Sequence, residues 1–243
     1  MNDLAGRIAL VTGGSRGIGA AVAVSLAEAG AAVAVNYREK KAEAEAVAKA
    51  IRDRGGKAMV VQADVSRTPD VARMIAAVED ELGSVDVLVN NAGIGIIRGI
   101  DDLTEEDFDV TIAVNLKSAF LCTQAVIPGM RARTWGRIIN ISSGAARGGG
   151  GIGPHYNASK AGMEGLTRGY AARLVKEGIT VNAVAPSLIE TDMVKQGLAS
   201  SPARIPLGRF GTSEECAQVV MMLVRTEYMT GQTVALSGGM SFL

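Results

Sequence analysis

Two cysteines, one histidine and one tryptophan are all that 243 residues hold of those types. Cys122 and Cys216 cannot build a disulfide framework or a metal cluster of the usual spacing. Both read as small apolar fillers. The lone histidine, His155, reads as a pocket-rim or structural residue. No G-x-S-x-G elbow accompanies it, which argues against a serine hydrolase. Excess charge is missing too. Twenty-five basic and 25 acidic residues cancel, so nothing marks a nucleic-acid binder. No uninterrupted apolar run reaches the ~18 to 20 residues of a membrane span. The opening Met-Asn-Asp-Leu-Ala-Gly-Arg lacks the layout of a secretion leader. The expectation is a soluble, cytoplasmic protein with no metal, no nucleic-acid partner and no membrane partner.

Hydrophobic residues make up 48% of the chain, enough for one large core. Short apolar runs at 7–12, 31–35, 57–61, 85–89, 137–141, 180–184 and 233–236 read as buried strands. Between them, 17–29, 40–54, 69–82, 105–130, 156–177 and 213–224 read as helices, the 105–130 stretch with room for a break near its middle. Continuous apolar strands alternating with helices indicate a parallel sheet covered on both faces. The expected fold is a single α/β domain over residues 1–243, a doubly wound Rossmann-type sheet of about seven strands. The stretch 187–212 carries Pro202 and Pro206, and its length suits a functional lid. Met193, Leu198, Ile205 and Leu207 would give that lid an apolar, adjustable surface.

After the first strand, Thr12-Gly13-Gly14-Ser15-Arg16-Gly17-Ile18-Gly19 opens directly into a helix. Small residues let the backbone approach a pyrophosphate, and the free N–H groups of the helix start favour the anion. NAD-selecting sites tend to carry a carboxylate at the end of the second strand. This chain has Asn36-Tyr37-Arg38 there. Arg16 and Arg38 are placed to grip a 2′-phosphate with guanidinium forks, so the expected cofactor is NADP(H). Asp64-Val65 ends the third strand, where a carboxylate can accept from an adenine amino group. Asn90-Asn91-Ala92-Gly93 ends the fourth and suits a tight backbone passage under a ribose.

Tyr156 and Lys160 stand four residues apart, on one face if helical. A phenol has a pKa near 10 and is a poor base at neutral pH. An ammonium ~4 Å away, at an effective dielectric of ~20, contributes about 4 kcal/mol. That is enough to lower the phenol by roughly three pH units before screening. Lys160 is thereby expected to make Tyr156 a usable proton donor and acceptor. The fifth strand ends in Asn140-Ile141-Ser142-Ser143, and strand carboxyl ends are where open sheets bind ligands. Either serine can hydrogen-bond a substrate oxygen, and spacing alone does not choose between them.

Together the TGGSRGIG turn, Asn90-Asn91-Ala92-Gly93, Asn115, Ser143, Tyr156 with Lys160, and the closing Thr230-Gly231-Gln232 and Gly238-Gly239 resemble the short-chain dehydrogenase/reductase family over the whole chain. The resemblance implies a catalytic set of Asn115, Ser143, Tyr156 and Lys160, which selects Ser143 over Ser142. It implies that Asn115 holds a water linking Lys160 to solvent, and that Lys160, beside Tyr156, also binds the nicotinamide ribose. Pro186, Ile189 and Thr191 then fall at positions that contact the nicotinamide carboxamide and phosphates. Within the family the chain is most similar to β-ketoacyl reductases of fatty acid biosynthesis, acting on acyl-carrier-protein or acyl-CoA thioesters. That implies a cytoplasmic homotetramer pairing the 105–130 and 156–177 helices across subunits. Three departures stand out. Ser187 replaces the glycine usual after Pro186, and Ser237 replaces the usual Asp or Asn before the final glycine pair. Thr134 and Glu177 stand where carrier-docking members carry basic residues, although Arg131, Arg133 and Lys176 lie close by. The expected activity is an NADPH-dependent reduction of a β-ketoacyl thioester or related ketone. The alternatives are an NAD-linked alcohol or sugar dehydrogenase and a catalytically idle nucleotide-sensing scaffold.

Overall fold

The computed structural model describes residues 3–191 and 201–241. Its first strand shows why the strands read as continuous apolar runs. Along β1 (Ile8–Val11), Ala9 and Val11 point into one core layer and Leu10 into the other. Both faces of the sheet are covered, so alternation disappears from the sequence. The remaining strands are β2 (Ala32–Tyr37), β3 (Ala58–Gln62), β4 (Val87–Asn90), β5 (Gly136–Ile141), β6 (Ile179–Pro186) and β7 (Thr233–Leu236). All pair in parallel, in the order β3-β2-β1-β4-β5-β6-β7. The order reverses between β1 and β4, which opens a crevice at their carboxyl ends. The expected Rossmann-type fold is the one observed.

Helices α1 (Gly17–Glu28) and α2 (Lys41–Asp53) cover one face with α7 (Ser213–Arg225). The other face carries α3 (Thr68–Glu81), α5 (Ser118–Ala132) and α6 (Pro154–Leu174). Cys122 and Cys216 are fully buried fillers, one in each layer, and burial pushes both thiols up to about 12. The helix expected at 105–130 is not broken. It runs as α4 (Glu105–Ile112), a π-helical turn (Ala113–Lys117) and α5. Although no apolar run is long enough, residues 105–132 are long and apolar enough by composition to cross a membrane. Half of the most apolar window is buried here, against β4, β5 and α3.

Strand β6 extends two residues past the expected 184, because β7 continues the ladder to Pro186↔Leu236. Helix α6 starts at Pro154 rather than 156, since proline suits a first helical turn. Of the stretch expected to form a lid, residues 192–200, with Met193 and Leu198, lie outside the described residues. Ile205 is buried and packs near Gly238, while Leu207 is exposed.

Candidate active site

A cleft of about 530 Å3 opens at the carboxyl ends of the strands. The glycine turn forms one wall. Gly13 and Gly17 adopt φ values of +60° and +54°, which other residues adopt only with strain. A Cβ on Gly13 would also stand 3.0 Å from the Ala92 Cα. The turn is braced from behind. The Asn91 amide donates to the Thr12 and Gly13 carbonyls at 3.0 and 2.9 Å, while the Thr12 hydroxyl accepts from the Asn91 and Ala92 N–H groups. Gly19 does not reach the cleft. A Cβ there would lie 2.5 Å from both the Gly13 oxygen and the Asn91 amide nitrogen, so its role is close packing. Ser15, Arg16, Gly17 and Ile18 do face the cleft. Both α4 and α7 begin with side-chain capping boxes, whereas α1 has no side-chain cap and no acid in its first turn. An anionic pyrophosphate fits such an end.

Asn36 borders the cleft but does not present its amide to it. Its oxygen accepts from the Gly13 N–H at 3.1 Å, and its nitrogen donates to the Val61 and Ala63 carbonyls at 3.3 and 3.2 Å. Asn36 is 2% exposed, and its amide holds the turn to β2 and β3. Tyr37 and Arg38 line the cleft, and the Arg38 guanidinium is paired with Glu39 at 2.8 Å. Lys40, which sequence reading passed over, lines the same rim. Asp64 and Val65 reach the cleft as well. The Asp64 carboxylate accepts from the Ser66 N–H and hydroxyl at 3.0 and 2.6 Å. Gly93 is exposed beside Ala92, and Pro186, Ile189 and Thr191 close the opposite wall, with Thr191 over Gly17.

At the far end of the cleft the two serines part company. The Ser142 hydroxyl points back into the protein, donating to the Lys160 carbonyl at 3.2 Å and lying 3.4 Å from Glu164. Ser143 lines the cleft with Tyr156 and accepts from the Ala145 N–H at 3.2 Å. Tyr156 and Lys160 lie one turn apart on α6, at 7% and 4% exposure. The Lys160 ammonium donates to the Ile141 carbonyl at 2.8 Å and stands 5.8 Å from the Tyr156 ring centre. Burial lowers Lys160 to about 8. Burial also raises the Tyr156 phenol, against a smaller opposing pull from Ser143. Burial thus moves the two groups in opposite directions, the phenol up and the ammonium down. Desolvation disfavours the charged form of each.

Asn115 sits behind this group, in the π-helical turn, fully buried. Its oxygen accepts from the Ile94 N–H at 2.8 Å, and its nitrogen donates to the Ile94 carbonyl and the Ser159 hydroxyl at 3.0 and 3.1 Å. A Cβ on Gly93 would stand 3.3 Å from the Asn115 oxygen and 3.5 Å from the Lys160 nitrogen. Asn115 and Lys160 thus converge on one point under Gly93. His155 is structural: it is 1% exposed, with Nε2 against the Ile96 carbonyl at 3.0 Å. Ser187 also lines the cleft and carried no role in the sequence reading beyond its being unusual.

Comparison with known proteins fits this arrangement. A family model described as short chain dehydrogenase matches residues 7–201. A 3-oxoacyl-[acyl-carrier-protein] reductase of Synechocystis is 43% identical, over 99% of each chain. Another, from Staphylococcus epidermidis, is 44% identical over 96% of this chain and 98% of its own. The crystal structure of a gluconate 5-dehydrogenase from Burkholderia cenocepacia, in complex with NADP and tartrate, superposes with a TM-score of 0.90 at 35% identity, covering 98% and 96% of the two chains. With a switch-point cleft walled by a glycine turn on one side and by Ser143, Tyr156 and Lys160 on the other, the chain belongs to the short-chain dehydrogenase family of oxidoreductases.

Proposed function

We propose that this protein is an NADP(H)-dependent reductase of β-ketoacyl thioesters, with Tyr156 as the proton donor. The observation that carries the reading is the convergence of Ser143, Tyr156 and Lys160 at the end of the cleft whose glycine turn suits a pyrophosphate. A bound nicotinamide cofactor would supply the hydride. Tyr156 gives the proton to the carbonyl oxygen, and its raised pKa keeps it protonated at neutral pH. The Ser143 hydroxyl orients that oxygen. Lys160 stabilises the tyrosinate left behind and binds the nicotinamide ribose, and Asn115 holds the water through which the proton is restored. Pro186, Ile189 and Thr191 hold the nicotinamide end.

NADP rather than NAD is supported by Arg16, Arg38 and Lys40 along the ribose rim and by the lack of a carboxylate at Asn36 or Tyr37. The thioester substrate is supported by the 43–44% identity to reductases named for 3-oxoacyl carrier-protein substrates. Acyl-CoA suits the surface better than acyl carrier protein. Arg131 forms a bidentate pair with Glu177, and Arg133 binds the Asp86 carboxylate and the Ser84 and Val85 carbonyls. Neither guanidinium is left to greet an acidic carrier. Exposed Phe108, Val110, Phe120 and Val175 suit the homotetramer of a cytoplasmic enzyme.

The test is oxidation of NADPH on adding acetoacetyl-CoA. No turnover of any carbonyl or alcohol with either nicotinamide sinks the enzyme reading. A second reading, dehydrogenation of a sugar acid, is favoured by the likeness to the gluconate 5-dehydrogenase structure, and 5-ketogluconate with NADPH checks it.

A further inference from the structure

Ser187 carries a hydroxyl for which none of the proposed roles has a use. It directly follows β6, and its backbone is fixed there by a 3.0 Å hydrogen bond from its N–H to the Leu236 carbonyl. Its side chain leans against Gly144, the residue after Ser143. A Cβ built on Gly144 would lie 2.5 Å from the Ser187 oxygen. The glycine at 144 therefore makes room for the Ser187 side chain, and the two positions share one space. Among the described residues nothing hydrogen-bonds the Ser187 hydroxyl. It is only partly buried and lines the cleft together with Ser143 and Tyr156.

We propose that Ser187 is a substrate-specificity residue: its hydroxyl binds a second oxygen of the substrate, close in the chain to the carbonyl held by Ser143 and Tyr156. The inference rests on the reductase reading and narrows its substrate class. A β-keto thioester qualifies, since its thioester oxygen lies two carbons from the ketone. An α-hydroxy ketone of the sugar-acid type qualifies through the neighbouring hydroxyl. A simple ketone leaves Ser187 facing water. The Ser187 backbone is held before the substrate arrives, so only the side chain is left to order when its hydrogen bond forms. A site built to hydrogen-bond a substrate oxygen discriminates against substrates that lack it.

The experiment compares wild type with Ser187→Ala and Ser187→Gly on acetoacetyl-CoA, 5-ketogluconate and a plain cyclic ketone, with NADPH affinity measured by fluorescence titration. Ser187→Gly adds no atoms and serves if the alanine variant folds poorly. Expected is a loss of kcat/KM of about three- to tenfold on whichever oxygen-bearing substrate is turned over, the size of one neutral hydrogen bond, with NADPH affinity unchanged. An unchanged kcat/KM overturns the proposal. So does an equal loss on the plain ketone or a matching loss of NADPH affinity, because either assigns the serine to the scaffold. If wild type reduces 5-ketogluconate and ignores acetoacetyl-CoA, the thioester reading fails while Ser187 is still tested on the hydroxy ketone.

Discussion

The Arg147 guanidinium closes on the buried carboxylate of Glu164 at 2.9 Å, and the same carboxylate lies 3.4 Å from the Ser142 hydroxyl. Glu164 sits one helical turn beyond Lys160, and Arg147 directly follows the short 3-10 turn after Ser143. The pair thus ties the serine-bearing turn to the helix that carries Tyr156. Arg147→Ala would leave a buried carboxylate without its cation and should cost about 2 kcal/mol, the scale of a hydrogen bond to a charged group. For a chain of this size that lowers Tm by roughly 4–8 °C. Glu164→Gln keeps the shape and should cost less. Calorimetry on the two variants orders them; an equal or reversed order refutes the strap.

Replacing Tyr156 with Phe removes the proposed proton donor. Turnover should fall by about 10²–10⁴-fold, while the NADPH dissociation constant stays within a small factor. A variant that keeps a tenth of wild-type kcat would remove Tyr156 from the chemistry.

Arg38 is held by Glu39 at the cofactor rim, both well exposed. A 2′-phosphate must compete with that carboxylate for the guanidinium. Glu39→Gln should therefore sharpen the preference for NADPH over NADH by roughly two- to fivefold, the strength of an exposed pair. Arg38→Ala should weaken it by about ten- to a hundredfold. The ratios of kcat/KM for the two cofactors report both effects. If Arg38→Ala leaves the ratio where it was, the phosphate is bound elsewhere.

Burial lowers Lys160 to about 8 from an ordinary 10.5. The folded chain then releases this proton near pH 8 and the unfolded chain near pH 10.5. Between those values the unfolded state binds more protons, so stability rises with pH; below pH 8 the cost of burying the ammonium is present in full. Relative to Lys160→Met, wild type should gain about 3 kcal/mol across that window. Urea unfolding at pH 7.5, 9 and 10.5 measures the difference, and a flat difference would contradict the burial argument.

The sheet was readable because every strand is covered on both faces, which leaves unbroken apolar runs such as those around Leu10, Leu88 and Ile138. Tyr156 and Lys160 were readable because a helical spacing of four places them together. Asn115 needed the family resemblance, since a π-helical turn inserted between α4 and α5 leaves the apolar pattern looking like one long helix. Ser142 and Ser143 could not be separated by spacing, because both continue the extended line of β5 and which of its two faces meets the cleft is set by the tertiary fold. Spacing does not contain the depth of burial, which raises the Tyr156 phenol. Lys40 and Ser187 reach the cleft through backbone turns that no local pattern announces.

Asn36 sets a boundary on redesign. An engineer seeking an NADH-dependent version would be drawn to the end of β2 and would try a carboxylate there. At position 36 that choice fails on hydrogen-bond polarity: the amide nitrogen now facing the Val61 and Ala63 carbonyls would become an oxygen, setting acceptor against acceptor in a dry interior. Cofactor choice in this scaffold is better retuned from the exposed part of the rim, at 38 to 40, while 36 answers to the architecture of the sheet.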